Sequence, residues 1–139
     1  MKSSTLIKRR RGNSRRGAAA VEFAMCLPLL LLLVLGAFEV CRASMLQHAA
    51  ESAAYEGARA GVIPGATPQR CQDASAFILR SLGVRNFVVT TDPTNITPTS
   101  PTIHVQVSIP FRGNSVFSPF LFNNPTFRGD CELVRETIE

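Results

Sequence analysis

Hydrophobic and polar positions divide the chain into an apolar first part and a patterned second part. The window from Phe23 to Phe38 carries no charge, and Leu29–Leu33 are five consecutive leucines. Alanine and leucine dominate from Ala18 to Ala60, which favours one long helix. Residues 18–41 are long enough to cross a bilayer, which takes about 20 residues. Residues 42–61 are mixed in polarity and predict an amphipathic continuation of the helix outside the membrane.

Two parallel rows of small residues run along this continuation, and within each row the residues are four positions apart. Such rows allow another backbone to approach closely. An alanine-rich helix with good intrinsic propensity is the alternative explanation, but polar side chains interrupt the rows only partly. We therefore expect close packing on the rows Ala49, Ala53, Gly57 and Gly61, and Ala50, Ala54 and Ala58.

A stop signal and a second helix come next. The segment GVIPGATP, residues 61–68, predicts a helix end and a turn. Thr67 is a candidate N-cap before Pro68 at the first helical position, and Gly83 ends the element. The predicted helix, Pro68–Leu82, carries an apolar stripe expected to face the core: Ala74, Phe77, Ile78 and Leu82.

After Gly83 the hydrophobic period changes from helical to alternating. Phe87–Thr91 is a short candidate strand, and a last one is predicted over about Phe127–Thr137. The clearest strand between them has buried positions at Ile103, Val105, Val107 and Ile109. The sequence therefore predicts an α+β fold: a long N-terminal transmembrane helix that continues into an exported domain with a second helix and a small antiparallel sheet.

The net charge of +5 belongs to the N-terminal tail. Seven of the 15 Lys and Arg residues precede residue 17, and no acidic residue precedes Glu22. The eight remaining basic and ten acidic residues leave a net charge of −2. Clustered basic residues are also a nucleic-acid signal. Directly before an apolar run, however, they favour a cytoplasmic N-terminus and a C-terminal domain outside, with no nucleic-acid partner.

The cysteines are too far apart for a zinc motif. Cys26 and Cys41 lie in or beside the apolar helix, whereas Cys71 and Cys131 lie in the part predicted to be exported. An exported domain is a compartment in which two thiols can form a disulfide, so we predict a Cys71–Cys131 bridge, with two unpaired thiols as the alternative. No metal or cofactor is expected, and no nucleophile, base and acid occur together as an enzyme requires.

The junction of tail and apolar run carries the most specific motif. It reads Arg-Arg-Gly-Ala-Ala-Ala-Val-Glu-Phe over residues 15–23. This stretch resembles a type IV prepilin signal, which a prepilin peptidase cuts after the glycine on the cytoplasmic side. The resemblance implies cleavage between Gly17 and Ala18, with Glu22 and Phe23 as the fifth and sixth residues of the mature chain. A Glu-aromatic pair in that place is the version of tight-adherence (Tad, or Flp) pili.

The resemblance continues to about residue 61 and is to TadE-like minor pilins and pseudopilins. It is carried by Glu22-Phe23-Ala24, Pro28, the leucine run, Gly36, Glu39, Arg42 and the alanine-rich segment Ala49–Arg59. It implies a pilin-like fold in a bacterial inner membrane, in which Glu22 meets the α-amine of Ala18 of a neighbouring subunit. Its implied partners are the bilayer, the prepilin peptidase, other Tad pilins and pilus assembly proteins. Pro28 is expected to kink the helix.

The resulting domain organisation has four parts: a basic cytoplasmic leader at 1–17, a transmembrane helix at 18–41, an amphipathic continuation at 42–61 and an exported domain at 62–139. A secretory signal peptide would be cut after the apolar run, where residues 36–44 offer a poor site. The serious alternative is an unprocessed single-span protein whose exported domain binds or scaffolds envelope partners.

Overall fold

The computed structural model describes residues 13–97, 100–115 and 123–135, and the predicted α+β fold is confirmed. The helices and strands are α1 (Asn13–Val62), α2 (Pro68–Ser81), β1 (Val88–Asp92), β2 (Thr102–Pro110) and β3 (Thr126–Val134).

The chain divides into two compact units, Met1–Gly36 (unit 1) and Ala37–Glu139 (unit 2). In unit 1, helix α1 begins at Asn13, five residues before the predicted start at Ala18. Residues 13–17 of the predicted leader are therefore helical, and residues 1–12 lie outside the described part of the chain. No proline lies between Asn13 and Ala18, and arginine is a good helix former.

The three strands of unit 2 form an antiparallel sheet in the order β1-β2-β3. In the central strand, Val105 lies opposite Thr91 on β1 and Cys131 on β3. Strand β1 begins and ends one residue later than predicted, and β3 begins one residue earlier. The predicted end of β3 at Thr137 is outside the described residues. The predicted alternation on β2 is confirmed, because one set of side chains is fully buried: Ile103, Val105, Val107 and Ile109.

Within unit 2, α1 packs against the sheet at very short range. A Cβ atom at Gly129 on β3 would overlap the backbone of Ala50, and one at Gly61 would lie 2.8 Å from Ile103 Cγ2. Only hydrogen fits at these positions, so the backbones of α1 and β3 meet directly at Gly129, and the Ile103 side chain reaches the α1 backbone at Gly61. The predicted packing on the small residues is confirmed, since both rows are buried: Ala49, Ala53, Gly57, Gly61, Ala50, Ala54 and Ala58.

Helix α2 begins as predicted, but its buried face differs from the prediction. The Thr67 hydroxyl accepts a hydrogen bond from the Arg70 amide, and Pro68 occupies the first turn. The stripe assigned to the core is wrong in part, because Phe77 is 72% exposed and Leu82 is 38% exposed. The buried face instead consists of Cys71, Ser75 and Leu79.

The reason is the narrow gap that α1 leaves for α2. Ser75 lies over Gly57, and its hydroxyl donates to the Ala53 carbonyl at 2.9 Å. A buried hydroxyl that is hydrogen-bonded in this way loses little on leaving water. A phenylalanine such as Phe77 is too large for the gap, so it lies outside.

Candidate functional site: the exposed apolar helix

In unit 1, α1 exposes apolar side chains on every side. All described side chains from Arg15 to Leu35 are exposed, and Leu29 and Leu33 keep 64% and 62% of their surface accessible. Burying one such side chain is worth about 1.5–3 kcal/mol, so this segment gains much from apolar surroundings that unit 1 does not supply. Among the described residues, α1 is the one helix long and apolar enough to cross a membrane. It is suited to single-pass anchoring.

The residues of the predicted processing site all lie on this helix. Gly17 and Ala18 are exposed, and a Cβ atom at Gly17 would meet nothing within 4 Å. Glycine in a helix interior costs roughly 0.5–1 kcal/mol relative to alanine. Gly17 therefore weakens α1 locally without any packing role in unit 1.

Glu22 and Phe23 follow one turn later and are also exposed, with Phe23 at 64%. No salt bridge to Glu22 forms among the described residues. A carboxylate at the start of an apolar span is costly in lipid unless it finds a partner. The arrangement thus leaves one negative group in an apolar surface that is otherwise open to neighbours.

Pro28 lies inside α1, and the helix continues through it from Asn13 to Val62. Its ring removes one backbone donor and crowds the carbonyl one turn earlier. The kink expected there stays a prediction.

The predicted Cys71–Cys131 disulfide is not present, because all four cysteines are free thiols in the structure. Cys71 is buried on α2 between α1 and β2, where its Sγ lies 2.8 Å from the Cβ position of Gly61. Burial raises the pKa of the Cys71 thiol. Burial and the neighbouring Asp130 carboxylate also raise the pKa of Cys131 on β3. The close fit against Gly61 gives Cys71 a packing role that needs no bond to a second sulfur.

An open polar cleft lies on the other face of the sheet. Asp92, His104 and Glu132 stand directly opposite one another on β1, β2 and β3. In the described ranges, no group of three His, Cys, Asp or Glu side chains is arranged to hold a metal ion.

Asn114 is a buried polar residue that sequence reasoning missed. Its side chain accepts from the Arg85 amide at 2.6 Å and donates to the carbonyls of Arg85 and Pro110. Its own carbonyl accepts a hydrogen bond from Arg42 Nε on α1 at 2.8 Å. The only local signal is the Gly113-Asn114 pair, which predicts a turn but not these long-range partners.

Comparison with known proteins locates the similarity in the first helix. The model of the TadE-like protein family matches residues 17–59, about a third of the chain. No curated protein and no solved structure matches. The match covers the exposed apolar segment and most of the buried alanine-rich part of α1. This family is associated with Tad pili and is structural rather than catalytic. The resemblance found from the motif at residues 15–23 is thereby confirmed: residues 17–59 of this chain are similar to TadE-like proteins.

Proposed function

We propose that this protein is a minor pilin or pseudopilin of a tight-adherence pilus, cut by a prepilin peptidase after Gly17. The observation that carries the proposal is the apolar segment of α1 up to Leu35, which has no buried side chain and directly follows the Arg-Arg-Gly motif. Such a helix is stable in lipid and equally able to pack laterally against the helices of other pilins. Unit 2 is the exported part that the assembled structure would present.

Cleavage after Gly17 would remove the charged segment that retains the chain in the membrane. Residues 1–17 carry seven positive charges, which keep an uncut chain anchored on the cytoplasmic side. Removing them leaves an apolar helix with no charged tail, which can be drawn out of the bilayer into a fibre. The local weakness of the helix at Gly17 favours access of the peptidase to this bond.

Glu22 is the proposed assembly residue, with Phe23 beside it. Cleavage creates a positive α-amine on Ala18, four residues before Glu22. The carboxylate of one subunit and the amine of its neighbour would neutralise each other and fix the axial register of two helices. The helix N-terminus adds a favourable interaction with the carboxylate of about 0.3–1 kcal/mol.

The first test is the mass and N-terminal sequence of the protein from native membranes, with and without the prepilin peptidase. A start at Ala18 that depends on the peptidase supports the proposal. A start at Met1 in both strains would contradict it and favour the unprocessed single-span protein that binds envelope partners.

The second test separates processing from assembly. Gly17→Arg should leave the chain uncut and abolish its role in the pilus. Glu22→Ala should allow cleavage but prevent incorporation. Glu51→Ala is the matched control, because it removes an exposed carboxylate from the same helix within unit 2. Normal pili with Glu22→Ala would refute the role given to this carboxylate.

A further inference from the structure

We propose that unit 2 carries a basic face that rests on anionic lipid headgroups. This face, here called the basal face, is formed by Arg42, Arg85 and Arg112. The inference rests on the proposed anchoring of α1 in the membrane, and goes beyond it by assigning a lipid-binding surface to the exported domain.

The contacts of α1 define which end of unit 2 the basal face occupies. Along β2, Ile103 lies near Gly61 and Val105 lies near Gly57, so the strand runs back along the helix. The chain after β2 reaches Asn114, whose carbonyl contacts Arg42. The loop after β2 therefore lies at the end of unit 2 that contains Arg42, the residue that follows the predicted end of the transmembrane segment at residue 41.

Asn114 holds the three arginines of the basal face on one framework. It bonds to both backbone groups of Arg85 through its side chain and to the Arg42 guanidinium through its carbonyl. Arg112 is two residues away in the same loop, where its amide donates to Asn124 Oδ1 at 3.0 Å. Asn114 itself is only 4% exposed, so three separate segments are fixed by a buried hub.

Two of the three side chains of this face are available for an external anion. Arg85 and Arg112 are exposed, and neither forms a salt bridge among the described residues. Glu39, one turn before Arg42, offsets part of the charge. At the opposite end of the sheet, the two carboxylates of Asp92 and Glu132 flank His104, and the one nearby guanidinium among the described residues of that cleft's rim, Arg135, is bonded to the Thr97 carbonyl.

This distribution is notable because unit 2 has no excess of positive charge as a whole. A domain whose positive charge is concentrated at one end has a preferred orientation at a negative surface. Because Arg42 directly follows the predicted span, chain connectivity keeps the basal face close to the headgroups. Each basic side chain near an anionic bilayer contributes a favourable interaction that depends on salt. The chemistry that fits this face is a layer of lipid phosphates.

The test uses the full chain in nanodiscs, with hydrogen exchange read by mass spectrometry at residues 82–87 and 110–115. One set of discs contains phosphatidylglycerol and phosphatidylcholine, and the other contains phosphatidylcholine alone. We expect slower exchange in the anionic discs, with the difference removed by 0.5 M NaCl. Replacing Arg85 and Arg112 by glutamine should lower the docking equilibrium roughly 30-fold and remove the difference as well.

The matched control is the double variant Arg59→Gln and Arg70→Gln, which loses the same charge from exposed positions away from the basal face. It should keep the lipid-dependent protection. Equal exchange in both kinds of disc, or the same loss of protection in the control, would overturn the proposal. Flotation with lipid vesicles reports anchoring separately: a chain that does not float overturns the anchor itself, whereas a chain that floats without lipid-dependent protection overturns only the basal face.

Discussion

The two halves of α1 have the same backbone conformation and opposite surroundings. In unit 1 the helix exposes large side chains, such as Leu31 at 52% and Leu33 at 62%. In unit 2 it buries small ones, and Ala50, Ala53 and Ala54 have no exposed surface. Apart from Leu46, which is fully buried, α1 thus buries small side chains in unit 2 and exposes large ones in unit 1.

This inversion has a simple physical cause. Alanine and leucine are both strong helix formers, so propensity does not distinguish the halves. Small side chains let the sheet and α2 approach to backbone contact, which yields a dense core from little volume. Large apolar side chains instead offer the surface area that lipid or a neighbouring helix can cover. Unit 2 is built to pack within itself, and unit 1 to pack against something else.

Exchanging the two kinds of residue should break this contrast most strongly. Ala53→Leu forces a larger side chain into a fully buried position beneath Ser75, and should lower the free energy of unfolding of unit 2 by about 3 kcal/mol. Leu31→Ala in unit 1 should change it by less than about 0.5 kcal/mol. Hydrogen exchange of the β2 amides in the full chain measures both. Equal effects of the two variants would show that burial does not separate the halves.

Gly129→Ala tests the closest contact of unit 2 and should have the next largest effect. The added methyl group would overlap the backbone of Ala50, which cannot rotate aside, so we expect a loss of about 2 kcal/mol in the same measurement. Gly65→Ala is the control: its Cβ meets nothing within 4 Å, and only the positive φ of 78° costs about 1 kcal/mol. A Gly129→Ala variant as stable as the wild type would refute the direct backbone contact.

The smallest effect concerns the Cys71 thiol. Because its pKa is raised in the folded state, less thiolate is present at a given pH, and alkylation of native protein at pH 8 should be much slower than in guanidinium. The raised pKa contributes stability that is complete below the unfolded pKa of about 9 and is lost as pH rises through the folded value. Mass spectrometry of the Cys71 peptide follows the rate. Equal alkylation of native and unfolded chains would contradict the burial.

Much of the fold could be predicted because its signals are local. The alternation at Ile103–Ile109 depends on one face of one strand, and the Thr67-Pro68 start of α2 depends on two adjacent residues. The buried face of α2 was mistaken because it depends on a second element: Ser75 is a core residue only where Gly57 leaves room for it. Hydrophobicity within α2 alone therefore favoured Phe77.

In the candidate site, too, features with local signals could be predicted and features that depend on distant residues could not. The motif at residues 15–23 and the apolar run are contiguous in sequence, so the TadE-like segment was identified without a structure. Asn114 was not, because its partners Arg42 and Arg85 are 72 and 29 residues away. The Cys71–Cys131 bridge was predicted from the compartment and the number of thiols. Neither of these gives information about packing, and it is packing that places Cys71 against Gly61.

The turn between α1 and α2 is a suitable site for inserting a tag. Ile63, Pro64 and Gly65 are exposed, and they lie at the end of unit 2 opposite Arg42. Exposed turns of this kind accept insertions well. In the proposed topology, a short epitope or fluorophore-binding peptide placed between Pro64 and Gly65 would lie away from the headgroups and outside the packed core of unit 2. Antibody labelling of whole cells would then test the proposed export of unit 2, with the sequence of the apolar segment unchanged.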